Sequence, residues 1–219
     1  GFVRDLSQRA REPPVFSMAG GLPVVRGSNE PPAGGQPAST TFMNQESPAV
    51  QDHYPDDYSH CYGCGRLNDH GLKLKSRWSD GELVATFDPA PYHTAAPGIV
   101  YGGLIASLLD CHGMATAAAA AERAAGREIG EAPSPRFVTA MLKVDYLRPT
   151  PLGPQLRIVG RASEIGPRKT LVSAWIEVEG EVTARPEIVA VPLPESMRVM
   201  IEKAATQGGS SRASSPQVG

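Results

Sequence analysis

The stretch PGIVYGGLIASLLDCHGMAT, residues 97–116, combines a pair of glycines with a long apolar run. Apolar side chains recur there at helical spacing, which predicts a helix from about Gly103 to Ala125 that is buried over most of its girth. Asp110 interrupts this apolar surface. A carboxylate is rare on such a helix unless it is paired or functional, so Asp110 is the first candidate for chemistry.

Gly102 and Gly103, which precede the helix, admit two interpretations. They leave backbone N–H groups free at the positive end of the helix dipole, and together with a buried Asp110 they predict an acyl-transfer site. Alternatively, the glycines let the helix pack closely on a sheet, and Asp110 is a capped or salt-bridged structural acid. The residues of this stretch alone leave both interpretations open.

The amino-acid composition excludes several classes of protein. The 219 residues are 41% hydrophobic and carry a net charge of −2, enough for a core and without a basic excess, so we expect no nucleic-acid partner. No apolar run approaches ~18 residues, so we expect no membrane-spanning segment and no membrane partner. The odd count of three cysteines, with no secretory pattern at the N-terminus, favours a reducing, cytoplasmic location over a disulfide framework.

Three segments differ in composition. Residues 1–50 are rich in proline and glycine pairs and poor in apolar periodicity, which predicts an extended or disordered N-terminal arm. Residues 51–198 carry the periodic apolar pattern and are predicted to form one domain. Residues 199–219, which end in a polar run rich in glycine and serine, are predicted to form a flexible C-terminal tail.

Cys61 and Cys64 form a CxxC pair, with His60 and His70 nearby. Such residues are zinc ligands when a second pair completes the tetrahedron. No second pair follows, and Cys111 lies far downstream on the predicted helix. We therefore expect no metal and no cofactor, and we interpret the motif as a turn that packs small residues.

The remaining pattern is that of strands. A hairpin formed by residues 72–78 and 83–87 precedes the helix, and residues 88–97 are predicted to form a loop. Four strands follow the helix, at about residues 137–144, 156–160, 170–178 and 181–191. This order predicts an α+β fold in which one antiparallel sheet curls around one long central helix, and its open edge favours pairing with a second copy.

Three blocks in this order resemble the hotdog-fold acyl-CoA thioesterases, in particular the phenylacetate-degradation type and the related thioesterase superfamily members. The blocks are GIVYGGLIASLLDCHGMATA, FVTAMLKVDYLRPTPLG and RIVGRASEIGPRK, and the resemblance extends over residues 59–195. It implies a dimeric hotdog fold. It also implies hydrolysis of an acyl-CoA, or a related acyl thioester, to the free acid and CoA.

The resemblance also implies the catalytic site. Gly102 and Gly103 match the glycines of the family's helix motif. Asp110 matches its acid, and Thr139 stands at the position of its active-site hydroxyl. Asp110 would activate water or attack directly, and Thr139 would position that water. The amide of Gly103 or Gly102 would hold the carbonyl oxygen.

Two positions depart from the family pattern. Tyr101 stands where the family usually has a histidine, so a phenol replaces the imidazole. Ala95 stands near the place where some members carry Asn or Gln, which helps to bind the thioester oxygen, so we expect that donor to be absent. Tyr101 and His93, in the loop before it, are candidate substrate contacts.

Gly103 and Asp110 are separated by about 10 Å along the helix axis, at ~1.5 Å per residue. One thioester carbon does not lie within hydrogen-bond reach of both in one chain. This predicts a dimer with antiparallel helices, in which Gly103 of one subunit faces Asp110 of the other, and the family implies the same arrangement. Whether dimers pair into a dimer of dimers stays open.

Coenzyme A carries phosphates, so cations are expected at the entrance of the site. Arg168 and Lys169, in a predicted turn, are candidates, and Arg148 is a third. A hotdog hydratase is disfavoured because the chain has no Asp-x-Asn-Pro-x-His stretch, and a serine esterase because it has no Gly-x-Ser-x-Gly. Two alternatives remain: a promiscuous esterase that acts on short activated esters, and a non-catalytic acyl-CoA-binding dimer.

Overall fold

The computed structural model describes residues 48–211, with side chains up to residue 207. The predicted N-terminal arm therefore lies almost wholly outside the described residues, as does the end of the predicted tail. Two short 3-10 turns open the described chain, at Val50–His53 and Asp56–Tyr58. The strands and helices that follow are β1 Arg77–Ser79, β2 Glu82–Phe87, β3 Thr94–Ala96, β4 Ile99–Val100, α1 Gly102–Ala124, β5 Phe137–Tyr146, β6 Leu156–Ile165, β7 Thr170–Val178, β8 Glu181–Pro192 and α2 Glu195–Ser211.

Six of the strands form one antiparallel sheet in the order β1-β2-β6-β7-β8-β5, and β3 pairs with β4 in a separate small hairpin. Helix α1 packs on this sheet, against β2, β5, β6, β7 and β8. A single antiparallel sheet packed on one long central helix is the α+β hotdog arrangement predicted from the sequence, and that prediction is confirmed. Strands β1 and β5 form the two edges of the sheet.

Helix α1 is buried on most sides because its side chains are small or apolar. Residues 117–120 are alanines that are at most 6% exposed. Gly160 of β6 allows close approach, because a Cβ there would lie 2.3 Å from Oγ1 of Thr116. Gly113 of α1 lies against β8, since a Cβ there would be 2.4 Å from Cδ1 of Ile188. These contacts place the helix directly on the sheet.

Helix α1 is also long and apolar enough, by length and composition alone, to cross a membrane. The sequence-based prediction of no membrane-spanning segment rests on unbroken runs of apolar residues, and Asp110 and His112 interrupt the run in this helix. Within the fold most residues of α1 are buried, as in the core helix of a globular domain. The apolar surface of α1 is therefore used against the sheet.

A buried polar network ties α1 to the start of the described chain. Nδ1 of the fully buried His112 lies 2.9 Å from Oγ of Ser76, and Nε2 lies 3.1 Å from the carbonyl oxygen of Leu83. The Gln51 side chain donates to Oγ of Ser76 at 3.0 Å and accepts from the Ser76 N–H at 2.8 Å. Burial lowers the pKa of His112 to about 4, so the neutral ring bridges α1 to β2.

The predicted strand at residues 72–78 is wrong over most of its length, because only Arg77–Ser79 forms a strand there. Lys73 has a φ of 55°, a left-handed conformation that interrupts extended backbone. The N–H groups of Leu72 and Leu74 donate at 2.7 and 3.0 Å to carbonyl oxygens of the CxxC turn. The segment is therefore held by that turn instead of by a strand partner.

The structure also differs from the sequence-based prediction before α1 and after β8, and it agrees with the prediction at β7 and β8. Residues 88–97, predicted as a loop, contain β3 of the small hairpin. The described part of the predicted flexible tail, residues 199–211, belongs to α2, which begins at Glu195 and in which Arg198 pairs with Glu195 and with Glu202. Strands β7 and β8 agree with the predicted ranges to within one residue at each end.

Gly160→Ala is expected to lower the free energy of unfolding by about 1–3 kcal/mol, because the added methyl group displaces Thr116 and with it α1. Urea denaturation followed by circular dichroism measures the change. The control is Ser163→Ala, at an exposed position on the same strand, which should change the free energy by less than about 0.5 kcal/mol. Equal stability of the two variants would contradict a close contact between α1 and β6.

Candidate active site

Asp110 and Thr139, which were predicted to act together, are hydrogen-bonded. Asp110 lies in α1 and is half-buried, and Oγ1 of Thr139 donates to its Oδ1. Thr139 lies on the edge strand β5, beside a register shift between Thr139 and Met141. Such a β-bulge redirects side chains. The fold thus brings the two candidates together from α1 and β5.

The surroundings of Asp110 make it a stronger base than a carboxylate in water. Burial is the largest influence and raises its pKa, and the charge of Cys61 raises the pKa further. The hydrogen bond from Thr139 lowers it. No cation among the described residues pairs with Asp110 or lowers its pKa. The interpretation of Asp110 as a salt-bridged structural acid is therefore not supported.

The Asp110–Thr139 pair borders a cavity of ≈ 200 Å³. Aromatic and apolar side chains, three thiols and one guanidinium form the remaining walls. The lining residues are Tyr54, Cys61, Cys64, Asp110, Cys111, Met114, Arg136, Phe137, Val138 and Thr139. The candidate base therefore has room beside it for water or for part of a substrate.

The N-terminus of α1 supplies the candidate oxyanion donors. The N–H groups of Leu104 and Ile105 both donate to the carbonyl oxygen of Tyr101, at 3.0 and 3.3 Å. The amides of Gly102 and Gly103 precede them, where a helix has no carbonyl to offer and its dipole is positive. These two amides are placed to bind an anion or a polarised carbonyl oxygen.

A larger cavity of ≈ 640 Å³ lies at this end of the helix. Gly103, Tyr101 and His93 all line it, so the structure brings the two candidate substrate contacts to one candidate oxyanion donor. Nδ1 of His93 accepts a hydrogen bond from the N–H of Ala90 at 3.0 Å, and burial lowers the pKa of the ring. Both effects favour the neutral ring of His93, which forms a wall of this cavity.

Gly103 and Asp110 line different cavities of the chain. One cavity holds a candidate oxyanion donor, and the other holds the candidate base. This division agrees with the separation of about 10 Å that the helix rise imposes on the two residues. Each cavity thus contains one half of the predicted site.

Arg168 and Lys169, the candidate phosphate-binding cations, are exposed in the turn between β6 and β7. The residue after them, Thr170, pairs with Ala190 of β8. Ala190 also pairs with Thr139 on its other side. The turn therefore lies at the same end of the sheet as the Asp110–Thr139 pair.

The opposite end of β5 contains a contact that sequence reasoning missed. The hydroxyl of Tyr146 donates to the carbonyl oxygen of Gly102 at 2.8 Å, which fastens the start of α1 to β5. The residues around Tyr146 in the sequence do not predict this contact, because its partner lies 44 residues away. Arg148, the third candidate cation, follows at this end and forms a surface ion pair with Glu181.

A thiol cluster also lies next to the candidate base. Cys111 is distant from the CxxC pair in sequence, yet the sulfurs of Cys61, Cys64 and Cys111 lie within 4.8 Å of one another. Gly63 permits this contact, because a Cβ there would lie 2.3 Å from Sγ of Cys111. The CxxC segment is a turn packed on α1, and the position of Cys111 beside it was not evident from the spacing of the motif.

Comparisons with known proteins identify related chains. A family model described as the thioesterase superfamily matches residues 97–185. The acyl-coenzyme A thioesterase THEM4 of Xenopus laevis is 30% identical over 113 residues, and the match covers 52% of this chain and 45% of that relative's length. A crystal structure of a thioesterase superfamily protein from Shewanella loihica is 47% identical, with a TM-score of 0.49, and covers 64% of this chain and 98% of that chain.

Proposed function

Because the chain belongs to the thioesterase superfamily, we propose that it hydrolyses acyl thioesters of coenzyme A to the free acid and CoA. The observation that carries the proposal is the half-buried Asp110, hydrogen-bonded by Thr139 beside a cavity. The similarity to an acyl-coenzyme A thioesterase supports the substrate class. The three cysteines form no disulfide, which supports a reducing, cytoplasmic location as part of the proposal.

In the proposed reaction Asp110 acts as the general base. Its carboxylate takes a proton from a water molecule that Thr139 helps to position, and the water oxygen attacks the thioester carbon. The amide of Gly103, at the positive end of α1, stabilises the charge that develops on the former carbonyl oxygen. The C–S bond then breaks, and the CoA thiolate takes up the proton held by Asp110.

We propose that a partner subunit supplies the second half of each site. Gly103 and Asp110 line different cavities, so a partner with an antiparallel α1 is needed to bring one to the other. Edge strand β5 carries Met141 and Tyr146, which are 42% and 52% exposed. Pairing of this edge with a second copy satisfies its free backbone groups and covers both side chains.

Asp110→Asn is expected to lower kcat for acyl-CoA hydrolysis by about 10²–10⁴-fold with little change in KM, because an amide does not take a proton from water. Thiol release from a panel of acyl-CoAs measures the effect. Asp80→Asn, in the exposed turn between β1 and β2, is the control and should keep wild-type activity.

The same assay separates the two alternatives. Wild-type protein that binds acyl-CoA without releasing thiol would be a binding module. Wild-type protein that cleaves short activated oxygen esters faster than every acyl-CoA in the panel would be an esterase.

A heterodimer of an Asp110→Asn chain and a Gly103→Val chain is expected to keep about half of the wild-type activity, because one of its two sites has both groups intact. Each variant homodimer should be inactive, since a Val side chain at position 103 collides with the Tyr101 ring and fills the cavity. Two affinity tags isolate the heterodimer, and thiol release measures its activity. An inactive heterodimer would show that both groups act within one chain.

Arg168→Glu and Lys169→Glu are each expected to raise KM for acyl-CoA by about tenfold, because a charge-assisted contact to a phosphate is lost. Small acyl thioesters without the nucleotide should be hydrolysed at nearly wild-type KM. Arg185→Glu, exposed on β8, is the control. Equal losses on both kinds of substrate would refute a phosphate contact.

A further inference from the structure

We propose that Cys61, Cys64 and Cys111 form a metal site that binds one Zn²⁺ ion through three thiolates. The three sulfurs lie within 4.8 Å of one another, although 50 residues separate Cys61 from Cys111. Thiolate sulfur is a preferred ligand of zinc and other thiophilic cations. The site goes beyond the hydrolase activity and does not depend on it.

The sulfur positions fit metal coordination. The Sγ atoms of Cys61 and Cys111 are 3.5 Å apart. In a tetrahedral site with Zn–S bonds of about 2.3 Å, neighbouring sulfurs are about 3.8 Å apart. A disulfide requires about 2.05 Å between the sulfurs. The thiols are therefore spaced for an ion between them, and only small side-chain movements are needed to admit it.

The backbone of the CxxC turn brings its thiols against α1. The N–H of Gly65 donates to the carbonyl oxygen of Cys61 at 2.8 Å and closes the turn. A Cβ at Gly63 would lie 2.3 Å from Sγ of Cys111, so glycine is needed for the turn to reach α1.

The charges around the cluster also favour a bound metal thiolate. The guanidinium of Arg136 lies over the rings of Tyr54 and Tyr58, 3.6 and 4.9 Å from their centroids, and Arg136 lines the same cavity as the three cysteines. Its Nε and Nη1 are buried and have no hydrogen-bond partner among the described residues. A half-buried guanidinium with buried, unbonded N–H groups is stabilised by nearby negative charge, and a zinc ion with three thiolates carries one net negative charge.

The cavity beside the cluster has room for a fourth ligand. Its volume is ≈ 200 Å³, and all three cysteines line it together with Asp110. A water molecule in this cavity completes the tetrahedron around the ion. The bound ion then fastens the CxxC turn to α1 directly beside the candidate base, and so stabilises one wall of the cavity.

The metal content of the full chain tests this site. Protein purified with reductant and without chelator is expected to contain about one zinc ion per chain, as measured by inductively coupled plasma mass spectrometry. Metal-free protein titrated with Co²⁺ should develop thiolate-to-cobalt charge-transfer absorption that saturates at one ion per chain. Cys61→Ser, Cys64→Ser and Cys111→Ser should each lose the ion and the absorption. His60→Ala, a nearby residue of ligand type, is the control and should retain both.

Circular dichroism identifies the variants that fold. Cys61 is the exposed member of the cluster, so Cys61→Ser remains informative even where a buried variant unfolds. Absence of stoichiometric zinc together with absence of charge-transfer absorption in the wild type would overturn the proposal. So would metal that persists in the folded serine variants, or a disulfide among the three cysteines under reductant. Metal content is measured without substrate, so this result is independent of the test of hydrolysis.

Discussion

The contact between α1 and the sheet is the constraint on which the rest of the structure depends. The helix is enclosed on most sides, so side chains at the contact must be small. Gly160 faces Thr116, and Gly113 faces Ile188, in spaces that a single methyl group would overfill. The buried bonds of His112 add a directional restraint, because they are made only at one rotation of the helix. Helix α1 is therefore fixed both in distance and in orientation.

A helix fixed in this way sets the positions of the groups it carries. Gly103 and Asp110 stay about 10 Å apart along its axis, and no side-chain movement brings them together. They line different cavities for this reason. The proposed chemistry consequently requires a second helix, and β5, which carries Thr139, is an edge of the sheet to which a second copy can add.

The same close packing accounts for the thiol cluster beside the candidate base. Residues 72–76 do not extend β1, because Lys73 is left-handed and the segment bonds to the CxxC turn instead. That turn lies on α1 through Gly63 and meets Cys111 there. One cavity beside the helix is therefore lined by a carboxylate and three thiols, two of them from the CxxC turn, and a metal ion among the thiols would stabilise the wall next to Asp110.

The sequence by itself determined the central helix, strands β7 and β8, and the order in which this helix and the strands of the main sheet follow one another, because apolar periodicity and turn residues are local signals. It also placed the candidate base and hydroxyl through the family's motifs. Only the tertiary structure decided which groups come into contact. Thr139 is hydrogen-bonded to Asp110, 29 residues away in the sequence, and Tyr146 to Gly102, 44 residues away. Cys111 packs beside the two cysteines of the CxxC turn. Such contacts depend on how closely the helix lies on the sheet. The spacing of residues along the chain does not predict that distance.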